Sequence, residues 1–246
     1  MTTELENSGY QIRQILCQSD LSTLRSAIND QIRDVLRNES TADFRNVARS
    51  DNPMLIYHNI KNDSYHQERW AKNNRILQPS VAKWFENSSS ISRLLSEYDA
   101  VAVADEEGLG RPNYYWRLTR PNENTDVGPM HRDEWFWLSN NCFQYNMEGL
   151  RRIKVWIAIQ TEPGLNGLLV EPGSHKRDDI KWEPEFRQGM YKPRLVSVLD
   201  TECFKLLETP PGYGVIFHDK LLHGGSINRG KICRLSIEFT MLVPDS

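Results

Sequence analysis

The stretch Gly128-Pro129-Met130-His131-Arg132-Asp133-Glu134-Trp135-Phe136-Trp137 lies near the middle of a chain of 246 residues. Within it, one residue separates His131 from Asp133, a spacing that places both side chains on the same face of an extended strand. An imidazole and a carboxylate on one face supply two ligands to a divalent metal ion. The pair is equally compatible with a salt bridge at a strand end, so the stretch alone leaves both interpretations open.

A third candidate ligand, His223, occurs in the last quarter of the chain, after a turn-then-strand pattern at 212–218. Two histidines and one carboxylate, with open coordination positions, form the facial triad of non-haem Fe(II) oxygenases. Further on, Arg234 and Ser236 share one face of a predicted strand, and a guanidinium binds a carboxylate through two parallel hydrogen bonds. The sequence therefore predicts a metal site with a neighbouring site for an anionic cosubstrate. The alternative is an outward-facing Arg234 that pairs with a surface acid.

The composition is that of an ordinary soluble globular protein, with 39% hydrophobic residues, 26% charged residues and a net charge of −3. Lys and Arg are scattered, so we expect no nucleic-acid partner. No apolar run approaches the ~20 residues that span a bilayer, so we expect no membrane segment. The four cysteines form no CxxC pair and the N-terminus lacks the features of a signal peptide. We therefore expect a cytoplasmic protein.

The first hundred residues are predicted to be largely helical. Good N-cap residues at Ser19-Asp20 precede apolar residues at helical spacing, which predicts a helix that ends near Asn38. Two more helices are predicted to begin at Pro79 and at Ser89 or Ser90, and a short strand is predicted at 54–58. The apolar stripes of these helices are typical of a hydrophobic core.

After residue 100 the pattern changes to short strands rich in β-branched and aromatic residues. They are predicted at 101–104, 114–120, 152–159, 167–171, 204–208, 214–218 and 232–243. Helices followed by strands indicate an α+β protein whose helices pack on one face of a sheet. A polar segment at about 176–200 interrupts the strands and is predicted to be an insertion of the kind that forms lids or binding loops.

Two further motifs accompany the candidate ligands. One is Pro172-Gly173-Ser174-His175-Lys176, preceded by Asn166-Gly167-Leu168-Leu169-Val170, and the other is the strand Lys154-Val155-Trp156-Ile157-Ala158-Ile159. Together with the HxD pair, the later histidine and the arginine eleven positions beyond it, they resemble the iron- and 2-oxoglutarate-dependent dioxygenases, in particular the phytanoyl-CoA dioxygenase-like family. The resemblance covers about residues 110–243, and nothing in the first hundred residues matches.

The resemblance implies a double-stranded β-helix, a jelly-roll or cupin-like barrel of two sheets with helices against one side. We accordingly expect a single domain over 1–246. Its residues 1–100 form a mostly helical support, and residues 101–246 form the β-helix core. This expectation agrees with the α+β pattern of helices followed by strands.

The resemblance also implies a set of cofactors, namely Fe(II), 2-oxoglutarate as cosubstrate, and O2. The implied metal ligands, which are also the catalytic residues, are His131, Asp133 and His223. The implied 2-oxoglutarate site is made of Arg234, Ser236, Trp156 and, by analogy alone, Trp116.

The carboxylate of Asp133 bears on the reaction that the resemblance implies. Halogenating relatives lack this carboxylate, which frees a position for halide, so its presence favours hydroxylation, or desaturation or ring chemistry by the same oxidant. The expected reaction acts on a C–H bond of a small molecule and releases succinate and CO2. Two alternatives remain open: a cupin-like metal-dependent hydrolase or isomerase that uses zinc or manganese, and a non-catalytic metal- or ligand-binding barrel.

Candidate substrate residues flank the HxD pair. If the strand continues beyond Asp133, alternation places Trp135 and Trp137 on the ligand face, either as a substrate wall or as core packing. Arg117 and Arg120 flank the neighbouring strand, where one of them meets an anionic substrate group or both are rim charges. His218 is a candidate for a substrate-facing residue or for a partner of the ligands. The sequence predicts no oligomeric state.

Overall fold

Among the described residues, one strand lies near the N-terminus and the other strands follow residue 100. The computed structural model describes residues 3–60, 65–140, 147–187 and 190–245. The strands in these ranges are β1 (Tyr10–Gln14), β2 (Ala102–Val103), β3 (Tyr115–Thr119), β4 (Leu150–Gln160), β5 (Leu168–Val170), β6 (Trp182–Arg187), β7 (Met190–Leu195), β8 (Lys205–Leu206), β9 (Tyr213–His218), β10 (His223–Gly225) and β11 (Arg234–Pro244).

The strands form two main antiparallel sheets and a separate hairpin. The larger sheet has the order β1-β9-β4-β11-β2, and β3 also pairs with β11. The smaller sheet has the order β10-β5-β8, and β6 pairs with β7 alone. Non-consecutive neighbours such as β9 between β1 and β4 require the chain to cross between sheets, as in a jelly roll.

The long strand β4 explains how the larger sheet separates two cores. Its residues Ile153, Val155 and Ile157 belong to a large apolar cluster shared with the N-terminal helices. The alternate residues Trp156 and Ala158 belong to a second cluster, together with residues of the smaller sheet. Because successive side chains of a strand point to opposite faces, one face of the sheet packs on helices and the other faces the interior between the sheets.

The helices lie mostly before residue 100, as predicted. They are α1 (Thr3–Ser8), α2 (Gln18–Leu36), α3 (Ala42–Arg49), α4 (Pro53–Ile56), α5 (His66–Arg69), α6 (Lys72–Arg75), α7 (Pro79–Glu86), α8 (Ser89–Glu97) and α9 (Asp133–Asn140). The apolar stripe predicted for α2 is buried, including Leu24, Ile28 and Ile32. In the described part of the chain, no helix combines the length and the apolarity needed to cross a bilayer.

The strand predicted at 54–58 is wrong, because this segment is helical. Pro53 occupies the first position of α4, where its fixed φ is compatible with a helix and its missing N–H costs no hydrogen bond. The backbone N–H of Met54 donates to the side-chain oxygen of Asn29 at 3.0 Å, which ties α4 to α2. Tertiary packing against α2 thus decides a segment whose apolar run is too short to distinguish helix from strand.

The condition that the strand continues beyond Asp133 is not met, because α9 begins at Asp133. The segment lacks β-branched residues, and Asp133 and Glu134 lie in the first helical turn, where carboxylates interact favourably with the helix dipole. His131 itself pairs as an isolated antiparallel bridge with His223. The extended conformation therefore ends before the carboxylate of the HxD pair.

The predicted insertion contains the hairpin of β6 and β7. Trp182 pairs with Leu195 at its base, and Phe186 pairs with Tyr191 near its tip, where the two rings pack edge to face at 5.3 Å. The hairpin packs on α9 through a stack of Trp135 on Trp182, with ring centroids 5.3 Å apart.

Helices on one side of two antiparallel sheets confirm the predicted α+β double-stranded β-helix.

Candidate metal centre

The two candidate histidine ligands are neighbours across a strand bridge. The backbone N–H of His131 donates to the carbonyl of His223 at 2.9 Å, and the N–H of His223 donates to the carbonyl of His131 at 2.9 Å. Their imidazole centroids lie 4.5 Å apart. Residues far apart in the sequence are thus held at a fixed separation by main-chain hydrogen bonds.

Both imidazoles present the same nitrogen atom to the space between them. Nδ1 of His131 lies 2.9 Å from the carbonyl oxygen of Pro129, and Nδ1 of His223 lies 2.9 Å from the carbonyl oxygen of Leu221. A carbonyl only accepts, so each Nδ1 carries a proton, and Nε2 is the nitrogen of each ring that is placed to bind a metal ion. Metal-binding histidines are commonly oriented by a hydrogen bond of this kind.

Asp133 completes the group from the first turn of α9. Its Oδ1 lies 3.8 Å from Nε2 of His131, and its Oδ2 lies 3.5 Å from Nε2 of His223. The donor atoms of the three residues all lie within 4.8 Å of one another. Neighbouring ligands held about 2.1 Å from a metal ion lie about 3 Å apart, so the group needs only a small contraction to hold one.

The ionisation of the group also fits a metal ion. Burial and the neighbouring His223 lower the pKa of His131 to about 4, so its imidazole is neutral and able to donate a lone pair. Oδ2 of Asp133 is buried and accepts no hydrogen bond from the described residues. A buried carboxylate oxygen without a donor is costly, and a bound Fe(II) would satisfy it.

Lys154 is a neighbour of Asp133 that the sequence reasoning missed. Its ammonium lies 3.9 Å from Oδ1 of Asp133 and 3.5 Å from a carboxylate oxygen of Glu106, and the residue is 6% exposed. Burial lowers the pKa of Lys154, but Asp133 and Glu106 outweigh burial and raise it, so the group stays charged. A lysine inside the apolar strand 152–159 was the available signal, since a buried lysine needs an acidic partner.

A buried turn supports the histidine bridge. The carbonyl of Ser174 accepts from the guanidinium of Arg132 at 2.6 Å, and the hydroxyl of Ser174 accepts from the backbone N–H of Leu222 at 2.8 Å. Arg132 and Leu222 each adjoin a candidate ligand, so the turn fixes both. His175 has its Nε2 3.0 Å from the carbonyl of Glu6, which ties the turn to the N-terminal segment.

Arg234 lies on the interior face of β11, where it is 3% exposed. Its guanidinium donates to the carbonyl of Gly167 at 2.7 Å and to the hydroxyl of Thr119 at 2.8 Å. Nε of Arg234 and the hydroxyl of Ser236 are buried, and neither has a hydrogen-bond partner among the described residues. No carboxylate of the described chain forms an ion pair with Arg234. A bound anion would therefore balance this buried charge and accept a hydrogen bond from the hydroxyl of Ser236.

Burial lowers the pKa of Arg234 to about 10, and the nearby Arg117 adds to this effect. Both influences are relieved when an anion binds, because each acts by penalising the positive charge. The distal carboxylate of 2-oxoglutarate is an anion of the right kind, and the free Nε of Arg234 with the hydroxyl of Ser236 offers it two donors.

Gly225 makes room for this guanidinium. A Cβ atom at Gly225 would lie 3.0 Å from one terminal nitrogen of Arg234 and 3.3 Å from the other. Gly225→Ala is therefore expected to displace the guanidinium and to weaken 2-oxoglutarate binding about 10-fold while iron binding is retained. Isothermal titration with 2-oxoglutarate checks this. Gly128→Ala is the control, since its Cβ would meet nothing within 4 Å, and equal affinities in the two variants would contradict the assignment.

The two candidate tryptophans of the cosubstrate pocket lie on different faces of the sheet. Trp156 belongs to the interior cluster with Ala158, Val215 and Phe217. Trp116 belongs to the helical cluster and packs on Trp70 with ring centroids 5.0 Å apart. The expectation for Trp116 was drawn by analogy, and strand alternation in β3 turns it away from the ligands.

We expect Trp116→Phe to affect stability and Trp156→Phe to affect 2-oxoglutarate binding. The first is expected to lower the free energy of unfolding by about 1–2 kcal/mol without changing 2-oxoglutarate affinity, because a buried core side chain is shortened. The second is expected to weaken 2-oxoglutarate binding. Urea unfolding and a 2-oxoglutarate titration on both variants separate the roles. If 2-oxoglutarate affinity fell in Trp116→Phe and not in Trp156→Phe, Trp116 would line the cosubstrate pocket and Trp156 would not.

Helix α9 redistributes the aromatic residues after Asp133. The ring of Phe136 packs edge to face on His131 at 5.2 Å. Trp135 instead stacks on Trp182 of the hairpin, and the guanidinium of Arg152 lies 4.3 Å from the ring of Trp137. The expected alignment with the ligands therefore fails for Trp135, because helical spacing replaces strand alternation, whereas Trp137, four residues after Asp133, shares the helix face of Asp133.

The remaining substrate candidates occupy three different environments. Arg117 lies on the interior face of β3 and donates through Nε to Glu238 at 2.8 Å. Arg120 binds Asp126 with two donors, Nε at 2.9 Å and a terminal nitrogen at 2.7 Å. Nδ1 of His218 lies 3.0 Å from a carboxylate oxygen of Asp219, at the end of β9. Of these side chains, only Arg117 shares a face with Arg234.

The fold and the His-Asp-His group agree with the family to which the chain belongs, that of an iron- and 2-oxoglutarate-dependent oxygenase. The chain belongs to the phytanoyl-CoA dioxygenase (PhyH) family, whose model matches residues 11–236. Its cofactors are accordingly Fe(II), 2-oxoglutarate and O2. A search of curated proteins gives no match.

Solved structures of low sequence identity share the fold. EvdO2 from Micromonospora carbonacea var. aurantiaca, complexed with 2-oxoglutarate, is 15% identical with a TM-score of 0.60, over 99% of this chain and 89% of that one. EctD from S. alaskensis, with 2-oxoglutarate and 5-hydroxyectoine, is 15% identical with a TM-score of 0.54, over 98% and 74%. SnoK, a carbocyclase from nogalamycin biosynthesis that depends on alpha-ketoglutarate, is 12% identical with a TM-score of 0.53, over 98% and 81%.

Proposed function

We propose that this protein hydroxylates an unactivated C–H bond of a small molecule, with 2-oxoglutarate and O2 as cosubstrates and succinate and CO2 as products. The observation that carries the proposal is the pairing of two features. Asp133 stands beside two imidazoles, and one of its carboxylate oxygens is buried and accepts no hydrogen bond from the described residues. Arg234 is a buried cation with an unpartnered Nε beside the free hydroxyl of Ser236.

Each residue has a defined task in this proposal. His131, Asp133 and His223 would hold Fe(II), and a triad of this kind would leave coordination positions for 2-oxoglutarate and O2. Arg234 and Ser236 hold the distal carboxylate of 2-oxoglutarate, and Trp156 closes the apolar side of its pocket. When bound, the iron couples decarboxylation of 2-oxoglutarate to the removal of a hydrogen atom from the substrate. The protein supplies orientation and a dry cavity.

Hydroxylation is preferred to the related reactions for reasons of chemistry. Asp133 fills the position that a halide would take, which disfavours halogenation. EctD, which has the same fold, was solved with the hydroxylated small molecule 5-hydroxyectoine. SnoK, which also has this fold, is a carbocyclase, so the fold by itself does not decide between hydroxylation and ring closure. Phe136, packed on His131, is the aromatic side chain that we propose to meet the substrate beside the metal. The family is named after an enzyme that acts on a CoA thioester, but the sequence of this chain gives no indication of a CoA nucleotide site, so we do not propose a CoA substrate.

The test is a turnover assay with Fe(II), ascorbate, 2-oxoglutarate and O2, in which succinate is measured with pools of candidate small molecules and without them. We expect slow uncoupled succinate formation alone and faster formation with a substrate. Hydroxylated products are then identified by a mass increase of one oxygen atom. Activity with zinc or manganese that does not require 2-oxoglutarate would instead favour a cupin-like hydrolase or isomerase. Absence of both iron binding and succinate formation would contradict the proposal.

A further inference from the structure

The interior face of β3 carries a cation close to the proposed iron site. β3 pairs with β11 so that Arg117 stands opposite Ser236 and Thr119 stands opposite Arg234. Because alternate residues of a strand share a face, Arg117 points to the same side of the sheet as the Arg234 guanidinium. Arg117 therefore lines the interior compartment, whereas its neighbour Trp116 packs on the helices.

The guanidinium of Arg117 is fixed at one edge and open at the other. Its Nε donates to a carboxylate oxygen of Glu238 at 2.8 Å, and within the described chain its two terminal nitrogens have no hydrogen-bond partner. The Arg117 side chain is 47% exposed and that of Glu238 is 20% exposed. Burial raises the pKa of Glu238, but Arg117 and Lys154 outweigh burial and lower it to about 2, so the anchoring carboxylate is always ionised.

Two other cations of this compartment, Lys154 and Arg234, are less suited to bind a substrate anion: Lys154 is paired with acids of the protein, and Arg234 is assigned to 2-oxoglutarate. Lys154 lies 3.9 Å from Asp133 and 3.5 Å from Glu106, so its charge is balanced on two sides. Arg234 is 3% exposed and donates to a carbonyl and a hydroxyl deep in the barrel. Of Arg117, Lys154 and Arg234, Arg117 is therefore the one that is both accessible and has free terminal N–H donors.

We propose that Arg117 binds a carboxylate of the substrate through its two terminal nitrogens, so that the substrate of this enzyme is a carboxylic acid. This inference rests on the proposed function and adds the chemical class of the substrate. The edge formed by the two terminal nitrogens offers parallel N–H donors to the two oxygens of a carboxylate. The bond from Nε to Glu238 orients that edge before the substrate arrives, which reduces the entropy cost of binding.

The ion pair Lys154–Asp133 connects the strand beside this anchor to the candidate metal ligands. Asp133 touches Lys154 on β4, and Glu238, which holds Arg117, stands opposite Trp156 two residues along the same strand. In this proposal, a carboxylate held by Arg117 positions the rest of the molecule near Asp133 and the other candidate ligands. The expected substrates are therefore acids whose reactive C–H bond lies a short distance from the carboxylate.

The test uses the protein loaded with Zn(II), which supports no turnover, and saturated with 2-oxoglutarate. Ligand-observed saturation-transfer NMR measures the affinities of three acids, benzoate, phenylacetate and N-acetyl-L-proline, each against its primary amide. We expect the acids to bind at least about 10-fold more tightly than the amides. Arg117→Gln is expected to abolish this preference, and Arg117→Lys is expected to retain part of it.

The control is Arg194→Gln, which removes a similar arginine–glutamate pair, Arg194–Glu183, from the exposed hairpin outside the barrel. It is expected to leave the preference unchanged. Equal affinity for acids and amides in the unmodified protein, or a preference that survives Arg117→Gln, would overturn the proposal. Weaker 2-oxoglutarate binding in Arg117→Gln would also overturn it, by assigning the residue to the cosubstrate. Failure of the unmodified protein to bind Zn(II) and 2-oxoglutarate would instead overturn the proposed function itself.

Discussion

Asp133→Ala is expected to weaken Fe(II) binding by at least about 100-fold and to abolish succinate formation. Mutation of residues that merely orient a metal ligand typically costs 10- to 100-fold in metal affinity, so the loss of a ligand costs no less. The variant also removes one of the two acids beside Lys154 and leaves that cation paired with Glu106 alone. Iron bound per chain, measured after equilibrium dialysis, and succinate formation check the two expectations.

Glu134→Ala is the matched control for this variant. Glu134 is the next carboxylate in the same helical turn, and it lies 3.4 Å from the ammonium of Lys220 rather than beside the imidazoles. It is expected to bind iron and to form succinate as the unmodified protein does. If Asp133→Ala retained iron and turnover, the carboxylate would have no place in the metal site.

Arg234→Ala is expected to weaken 2-oxoglutarate binding by about 30- to 1000-fold, which corresponds to about 2–4 kcal/mol for the loss of one partner of a buried charged pair. Fe(II) affinity is expected to change little, because the hydrogen bonds of Arg234 go to Gly167, Ser226 and Thr119 and not to the three candidate ligands. Titration of the iron-loaded protein with 2-oxoglutarate measures the first effect, and dialysis with Fe(II) measures the second.

Arg120→Ala serves as the control for Arg234→Ala. Arg120 is another buried arginine of the same region, but its donors are occupied by Asp126. Its loss is expected to reduce stability and to leave 2-oxoglutarate affinity unchanged. An Arg234→Ala protein with normal 2-oxoglutarate affinity would show that the anion site lies elsewhere.

The sequence was sufficient to predict the architecture because local patterns and global fold agree in most of the chain. The alternation of β4 and β11 and the helical spacing of α2 are carried by apolar residues whose burial sets the period. The family resemblance added the order of the motifs, which no single motif could supply. The resemblance implied His131, Asp133 and His223 as one ligand set, and in the structure their donor atoms lie within 4.8 Å of one another.

The remaining features depend on tertiary context that a linear pattern does not encode. Strand alternation and helical spacing both accommodate Trp135 and Trp137, and only the start of α9 at Asp133 decides between them. Trp116 was assigned by analogy, and the face to which it points follows from the pairing of β3 with β11. Lys154 was overlooked because its partners, Asp133 and Glu106, come from other segments of the chain.

The central claim is that one Fe(II) ion and one 2-oxoglutarate molecule share the site formed by His131, Asp133, His223 and Arg234. It is tested most directly by anaerobic titration of the Fe(II)-loaded protein with 2-oxoglutarate while visible absorption is recorded. A charge-transfer band that saturates at one 2-oxoglutarate per iron is expected, because the 2-oxo acid chelates the metal. The band should be absent in Asp133→Ala and should require more 2-oxoglutarate in Arg234→Ala. An iron-loaded protein that develops no band at any 2-oxoglutarate concentration would contradict the account.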